Sequence, residues 1–394
     1  MNILILPSWY TTPENPISGV FFKEQALALQ SYFDRFYQGS KIYVLALEQF
    51  SILSIRTYLK RKSFFVCDED GIMTVRDKFL CFPKLHKLNL HRGGRKIACI
   101  IKRIRRKLNL SFDLVHIHSA LNAGIWYSLS GLKIPYVITE HSSSYSRNLV
   151  TDAQKSYLPD VFNNAAHIIA VGGGLASAIR NYTEKTVSVI FNIVTPLFSR
   201  KEAVLTKNEV FTFFSLGVNA RKKGFDILLS AFSDYIMQGN VGKLIIAGLA
   251  DEEKKWLLSF DIPPVVMQCV ELLGILDRST VLEHMSQCDC FVLVSRHETF
   301  GVVFAEAMYC GKPVIASCSG GPDSFVNDES GILVPVENVG KTAEALAYMR
   351  SDSAKYDAEK IRKYAEDNFS PDVICARLSA IYERILKQKI AGGG

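Results

Sequence analysis

The sequence predicts an α/β chain built from two parallel-sheet domains. Three observations carry that prediction: apolar runs that scarcely alternate, helical stretches between them, and a length of 394 residues, beyond the ~300 residues at which a single core stops growing. Hydrophobic residues at 48% and charged residues at 22% supply globular cores and exclude a disordered chain. No uninterrupted apolar stretch reaches the ~18 residues of a membrane span. The opening MNILILPSW has no basic region before its apolar run and no small-residue cleavage site, so it reads as a buried strand rather than a signal peptide.

Element by element, residues 2–6 form a strand, followed by a polar loop from Pro7 to Ser18 and a helix over 20–31 with Val20, Ala26, Leu27 and Leu29 on one side. A strand follows at 42–47. Residues 52–107 are less regular, and CDEDG at 67–71 reads as a hairpin turn between SFFV and IMTV. Strand 114–117, helix 122–130, strands 135–139 and 167–171, and a helix opening near Gly174 complete the first half. Their low alternation fits parallel strands buried on both faces.

The second half repeats the cadence with strands at 210–216, 243–247, 265–268, 290–294 and 313–316, and helices at 224–237, 251–260, 278–287 and 302–310. This is the pattern of a nucleotide-binding-type domain. Asn192, Pro196 and a charged run mark the connection around 185–205, so the domains are expected at 1–185 and 186–371. Helices are expected at 339–350 and 353–367. Ser370 would cap a last helix with Pro371 in its first position. Residues 372–394 would be that helix, packing back on the first domain, and a tail ending in AGGG.

The nine cysteines show no CxxC pair, and Cys288 and Cys290 stand too close for a zinc-knuckle pattern. Reduced, packed thiols are expected. The net charge of +7 is unevenly spread: residues 1–185 hold 24 Lys/Arg against 13 Asp/Glu, residues 186–394 hold 22 against 26. A basic first half points to an anionic partner or surface. His116 and His118 alternate on a strand without a convincing third ligand, and the DED at 68–70 lies in a hairpin, so no metal site is expected.

The segment richest in chemistry is SRHETFGVVFAEAMYCGKPVIASCSGGPDSFV, residues 295–326. A buried strand ends at Val294, a polar loop presents Arg296, His297 and Glu298, and Gly301 leads into a helix. The first amides of that helix, around Val302 and Val303, lack intrahelical partners and suit a phosphate. Glu298 and Glu306 would repel that phosphate unless each had its own task, and pairs of sugar hydroxyls supply one. The bland alternative has Glu298 capping the helix and Glu306 solvated. A second loop, Ser319 to Pro322, is expected to approach a sugar or phosphate through its backbone. Gly217 and Gly224 bracket the basic run 221–223 at a strand-to-helix crossing, where Lys223 would stabilise charge on a departing diphosphate without a metal. Otherwise the run is a solvated turn.

These motifs resemble glycosyltransferase family 4, a retaining group of GT-B fold that uses nucleotide sugars. The resemblance rests on ETFGVVFAEAMYCGKPVIA with its E-x7-E element, FFSLGVNARKKGFDILLSAF at 213–232, VIFNIVTPLF at 189–198, PSWYTTPENPISGVFFKEQALAL at 7–29, and ITEH at 138–141. It implies two Rossmann-like domains facing across a deep cleft. It also implies that Glu306 holds the nucleotide ribose, Glu298 the sugar hydroxyls, and Lys223 the diphosphate. His141 would meet the donor sugar near the reacting carbon. Gly217, Thr299, Phe300, Gly301, Val302 and Val303 would complete the donor site, with Gly19 and Phe21 on the acceptor side beside Phe22. For Gly19 and the phenylalanines, the alternative is a turn followed by core packing. One departure stands out: Val218 follows Gly217 where members usually place an arginine, and Arg221 or Lys222 is the candidate substitute.

The resemblance further implies a UDP-sugar or GDP-mannose donor, no tightly bound cofactor and no metal. The acceptor would be a hydroxyl of a polysaccharide, glycolipid or other glycoconjugate, attacked on the face the diphosphate leaves. Residues 84–107 carry ten Lys/Arg and no Asp/Glu, interleaved with Ile97, Ile100, Ile101 and Ile104, with Leu108 next in the pattern. They read either as a segment lying on an anionic bilayer with its apolar side chains inserted, or as an amphipathic helix covering the first domain. A cytoplasmic protein, peripheral on the inner face of the cell membrane, is expected. Nucleic acid is not, for want of a recognisable module or stacking platform. A nucleotide-sugar epimerase of GT-B fold and a noncatalytic nucleotide-sugar or membrane-binding protein are the alternative functions.

Overall fold

A computed structural model describes residues 1–15, 18–199 and 208–391. Pro16 and Ile17 of the expected Pro7–Ser18 loop, residues 200–207 of the expected connection and Gly392–Gly394 of the tail lie outside the described residues. The chain forms two compact units. The first comprises Met1–Val171, Leu175–Ile193 and the chain from Pro371 onward; the second comprises Gly172–Gly174 and Val194–Ser370. The division after Ile193 falls later than the expected 185/186 because Val187–Val189 is a strand of the first sheet and Ile190 and Ile193 enter the first unit's core.

The first sheet contains β1 (Asn2–Pro7), β2 (Lys41–Ser51), β3 (Phe65–Glu69), β4 (Ile72–Cys81), β5 (Leu114–His118), β6 (Tyr136–Glu140), β7 (His167–Ala170) and β8 (Val187–Val189). Their order is β3-β4-β2-β1-β5-β6-β7-β8, with every neighbouring pair parallel except β3 and β4. That antiparallel pair turns at Asp70 and Gly71, with φ of 57° and 88°, the positive values a two-residue hairpin needs. The DED run is taken up in ion pairs, Glu69 with Arg76 at 2.6 Å and Asp70 with Lys23 at 2.7 Å. The expected helix at 122–130 begins as a wider π turn, Ala120–Gly124, and continues as Ile125–Leu129.

Helix His86–Leu108 carries the basic segment. Leu90, Ile97, Ile100, Ile101 and Ile104 are buried in the first unit, so they are not the side chains of an inserted bilayer face. Gly93 and Gly94 allow the close approach: a Cβ at Gly93 would lie 2.4 Å from Trp126 Cδ1. The other face exposes Arg95, Lys102, Arg103, Arg105, Arg106 and Lys107. The last helix, Pro371–Ala391, places Ile374, Cys375, Leu378 and Tyr382 in one core with Phe22, Leu29 and Phe33 of helix Val20–Phe36.

The second sheet contains β9 (Thr212–Leu216), β10 (Lys243–Ala247), β11 (Val270–Leu272), β12 (Cys290–Leu293), β13 (Val314–Ser317) and β14 (Gly331–Val334), ordered β11-β10-β9-β12-β13-β14 and parallel throughout. The strand expected at 265–268 is instead a helical turn, Pro264–Met267, and the strand follows it. Pro264 lacks the N–H a ladder needs and sits without cost in a first helical turn, while Val266 is buried there. Strand order reverses between β1 and β5 in one sheet and between β9 and β12 in the other. Ligands of open α/β sheets bind outside the carboxyl ends of the strands at such reversals. None of the nine cysteines is in a disulfide. Among the described residues no helix is long and apolar enough to cross a membrane.

Candidate active site

In the second unit the chain leaves β9 at Gly217 and re-enters helix Phe225–Met237 through Gly224, which has φ of 66°. A Cβ on Gly224 would meet the Val294 carbonyl oxygen at 2.2 Å, so only glycine fits. A Cβ on Gly217 would stand 2.8 Å from both Cγ and Cε of Lys223: the bare backbone makes room for the lysine. Lys223 Nζ lies 2.5 Å from Glu298 Oε1, which also accepts from Ser295 Oγ at 2.9 Å. The side chains are only 15% and 8% exposed. Burial pushes the Glu298 carboxyl up, but the charge and hydrogen bond of Lys223, with Lys222 and Ser295, outweigh it and hold the group below its ordinary value.

The loop is braced from three sides. Arg296 pairs with Asp226 at 2.8 Å and Glu337 at 2.6 Å, and donates to the Arg221 carbonyl. Hydrogen bonding to Asp226 raises its pKa further, so it stays a fixed cation. Glu253 accepts from the Ala220 amide at 2.7 Å. Arg221, one candidate for the charge missing at Val218, lies 4.6 Å over the Trp256 ring.

Gly301, with φ of 83°, caps helix Val302–Tyr309, and no side chain caps it. Glu298 is therefore not the helix cap. Nor is Glu306 solvated: it is 1% exposed and receives Arg278 Nη1 at 2.8 Å, while Arg278 Nη2 donates to Thr195 Oγ1 at 3.1 Å. Val302 and Val303 are half-buried at the helix start, and Thr299 precedes them. The Phe300 ring packs against Phe325 and Phe369 at 5.2 and 5.6 Å, so backbone is what it offers a ligand. The glycines expected to approach a sugar or phosphate also pack closely against protein backbone. Gly320 O accepts from Gly174 N at 3.1 Å, and a Cβ on Gly321 would touch the Phe300 oxygen at 2.6 Å.

In the first unit a second cluster forms where β1, β5 and β6 end. Glu140 accepts from the amides of Ala120, His141 and Ser142 and from Tyr145 Oη at 2.8–2.9 Å. Burial nonetheless raises its carboxyl above the ordinary value. His141 is 7% exposed, and its Nε2 lies 3.0 Å from His118 Nδ1. His116 bonds Thr139 Oγ1 at 2.7 Å and Tyr382 Oη at 2.6 Å. Burial lowers His116 and His141 to about 3, and His118 well below its ordinary value. All three are neutral at pH 7. Two buried ring nitrogens, His118 Nε2 and His141 Nδ1, have no hydrogen-bond partner. Phe21 and Phe22 lie 5.2 and 5.0 Å from the His141 ring, with Phe22 itself fully buried as core. Gly19, with φ of 73°, lets the helix start against Trp9, whose carbonyl oxygen would be 3.0 Å from a Cβ.

The second unit thus gathers Gly217, Lys223, Glu298 and the Thr299–Val303 turn, with Glu306 further along the same helix; the first gathers Gly19, Phe21 and His141. Sequence reasoning missed Arg278, Glu253 and the Arg296–Asp226 pair, which act across 28 to 70 residues and leave no local pattern. It considered His118 only as a metal ligand, whereas the ring supports His141. Among the described residues no three His, Cys, Asp or Glu side chains gather as a metal site.

Residues 65–196 match the model for Glycosyltransferase Family 4, and residues 199–368 that for Glycosyl transferases group 1. An uncharacterized glycosyltransferase of Methanocaldococcus jannaschii is 27% identical over 297 residues, covering 67% of this chain and 74% of that protein. The N,N'-diacetylbacillosaminyl-diphospho-undecaprenol alpha-1,3-N-acetylgalactosaminyltransferase of Campylobacter jejuni is 24% identical, covering 73% and 80%. Among solved structures, sucrose-phosphate synthase from Thermosynechococcus elongatus has a TM-score of 0.74 at 17% identity, covering 98% of this chain and 100% of that one. Anabaena HepE in complex with UDP has a TM-score of 0.68 at 17% identity, with the same coverage. Fold and matches together define the class: the chain has the GT-B fold, with two Rossmann-like domains, of the glycosyltransferase superfamily. Glycosyl transfer is the general activity these matches support.

Proposed function

We propose that this chain is a retaining glycosyltransferase of family 4, moving a sugar from a UDP-sugar or GDP-mannose to a hydroxyl of a polysaccharide, glycolipid or other glycoconjugate. The observation that carries the reading is the buried Lys223–Glu298 pair at the carboxyl ends of β9 and β12. On this reading Lys223 and the amides at Val302 and Val303 stabilise the diphosphate as its bond to the anomeric carbon breaks. Glu298, ionised by its neighbours, accepts hydrogen bonds from sugar hydroxyls, and Glu306 does the same for the ribose. The acceptor oxygen bonds to the anomeric carbon on the same face, and its proton passes to a departing phosphate oxygen. His141 contributes a neutral ring to the donor sugar; its unpartnered Nδ1 supports that role. Gly19 and Phe21 belong to the acceptor side.

The test is a nucleotide-sugar panel read by calorimetry, followed by product analysis with membrane extract from the source cell. Glu306→Ala should weaken donor binding, whereas Glu298→Ala should chiefly lower turnover. Wild-type affinity and turnover in both variants would defeat these roles, and an epimerised donor without acceptor consumption would defeat the transferase reading.

The exposed basic face of helix His86–Leu108 supports a cytoplasmic protein held on an anionic leaflet chiefly by charge, since its isoleucines are buried and Leu88 and Leu108 are the large apolar side chains it leaves exposed. Each Lys or Arg near such a surface contributes about 1 kcal/mol. Replacing Lys102, Arg105, Arg106 and Lys107 by Gln should release the protein from anionic vesicles and leave nucleotide affinity intact; unchanged sedimentation would reject the proposal.

A further inference from the structure

A cavity of about 380 Å³ opens in the first unit beside the loop that follows β1, with Pro13 in its wall. That volume lies within the ~300–1,000 Å³ range of small-ligand sites. Its lining is ionic, with Arg61, Arg76, Lys78, Glu48, Glu69 and Asp77 around it and Lys60 and Lys62 at its border. Most of these charges are matched. Arg76 forks onto Glu69 at 2.6 and 3.2 Å and donates to the Thr11 carbonyl at 3.0 Å, while Asp77 takes Lys96 at 2.8 Å.

Lys78 is not matched by an anion, and Arg61 keeps one N–H without a hydrogen bond. Lys78 is 6% exposed, yet its ammonium is held by the carbonyl oxygens of Tyr58 and Arg61 and by the Tyr58 ring at 4.1 Å. Among the described residues it has no carboxylate partner. Arg61 pairs with Glu14 through Nη2, but its buried Nε has no hydrogen-bond partner, a Glu48 carboxylate oxygen standing 3.8 Å from it. A buried ammonium that meets two carbonyl dipoles and one aromatic ring but no counter-charge, beside an unused guanidinium N–H, is costly unless an anion joins them. Phosphoryl oxygens suit both donors.

We propose that this cavity binds a phosphoryl or diphosphoryl group of the acceptor. The inference deepens the transferase reading and rests on its assignment of the Pro7–Leu29 region to the acceptor side. Lys78 and Arg61 make the direct hydrogen bonds, Lys60 and Lys62 attract the group electrostatically, and Arg76 ties the pocket to the loop through Thr11. The phosphate is carried either by a membrane lipid or by a soluble sugar.

The test is calorimetric titration of inorganic pyrophosphate into the full chain saturated with UDP or GDP, which occupies the donor side. We expect one further binding event, weakened at least tenfold by Lys78→Met or Arg61→Gln and about threefold by Lys60→Ala with Lys62→Ala. Nucleotide affinity should be unchanged in every variant. Because Lys60 and Lys62 are exposed, that double variant keeps the test decisive if replacing Lys78 disturbs folding. No second binding event, or equal binding in all variants, overturns the pocket while leaving the transferase reading intact; loss of nucleotide binding alone strikes the transferase reading and not the pocket. Competition by a polyisoprenyl phosphate in phosphatidylcholine vesicles assigns the phosphate to a lipid, and competition by hexose 1-phosphate assigns it to a soluble acceptor. Competition by neither overturns the acceptor assignment.

Discussion

The Lys223–Glu298 pair yields a prediction that needs no substrate. Removing one member of a well-buried ion pair costs about 3–5 kcal/mol, because the other charge is left without compensation. Here the side chains keep 15% and 8% of their exposure, and Ser295 Oγ stays with the carboxylate. That residual exposure brings the cost just below this range, to about 2–3 kcal/mol for Lys223→Met or Glu298→Gln. The double variant removes both charges and should lose less than the sum of the singles by about 1–2 kcal/mol. Urea unfolding read by hydrogen exchange in peptides from 212–237 and 290–310 isolates the relevant unit. Glu298 is depressed below its ordinary 4.5, so its stabilisation is full above that pH and lost as pH falls through the folded value. Lys223→Met should flatten that acid dependence. Strictly additive losses, or an unchanged acid profile in Lys223→Met, would refute the reasoning.

Further predictions concern the histidine cluster and the two glycines. His116 and His141 titrate near 3 when folded and near 6.5 when unfolded, so their stabilisation is present above 6.5 and lost as pH falls towards 3. Each contributes a slope approaching about 1.4 kcal/mol per pH unit. The raised carboxyl of Glu140 acts in the opposite sense, so unfolding free energies of wild type and His116→Asn should be compared at matched pH; equal slopes would reject the assignment. Gly224→Ala should destabilise the second unit by more than about 2 kcal/mol in thermal unfolding, because both its φ and the Val294 oxygen oppose a side chain. Gly217→Ala meets only the movable Lys223 chain; it should cost under about 1 kcal/mol in unfolding yet lower donor turnover roughly tenfold by displacing the lysine.

Most strands of both sheets could be read because fully buried parallel strands are short apolar runs. Reading failed where that rule weakens. Val265 to Gln268 has a strand's composition, but two prolines before it start a helical turn, and the edge strand β8 has only three residues to announce it. In the basic segment, periodicity located the apolar stripe but not what covers it; the glycines opposite Trp126 decide that. At the site, Gly217, Lys223 and the two glutamates stood out because each lies in a turn directly after a strand or in the helix that the turn opens. What braces them is Arg278, Arg296 with Asp226, and Glu253, which are ordinary surface residues until the fold brings them in. The same holds for Lys78, one basic residue in a strand until its missing counter-charge is seen.

The helix Pro371–Ala391 has a consequence for biosynthesis. Its residues from Ile374 to Ile385 complete a core begun by Ile3 and Phe22, so the amino-terminal lobe is left with an open seam until those residues have emerged from the ribosome. The intervening lobe, continuous from Val194 to Ser370 apart from three glycines made earlier, has its sequence available first. Nascent chains should therefore mature inside out, the lobe translated second closing before the one translated first, with premature release leaving an apolar groove that chaperones must shield.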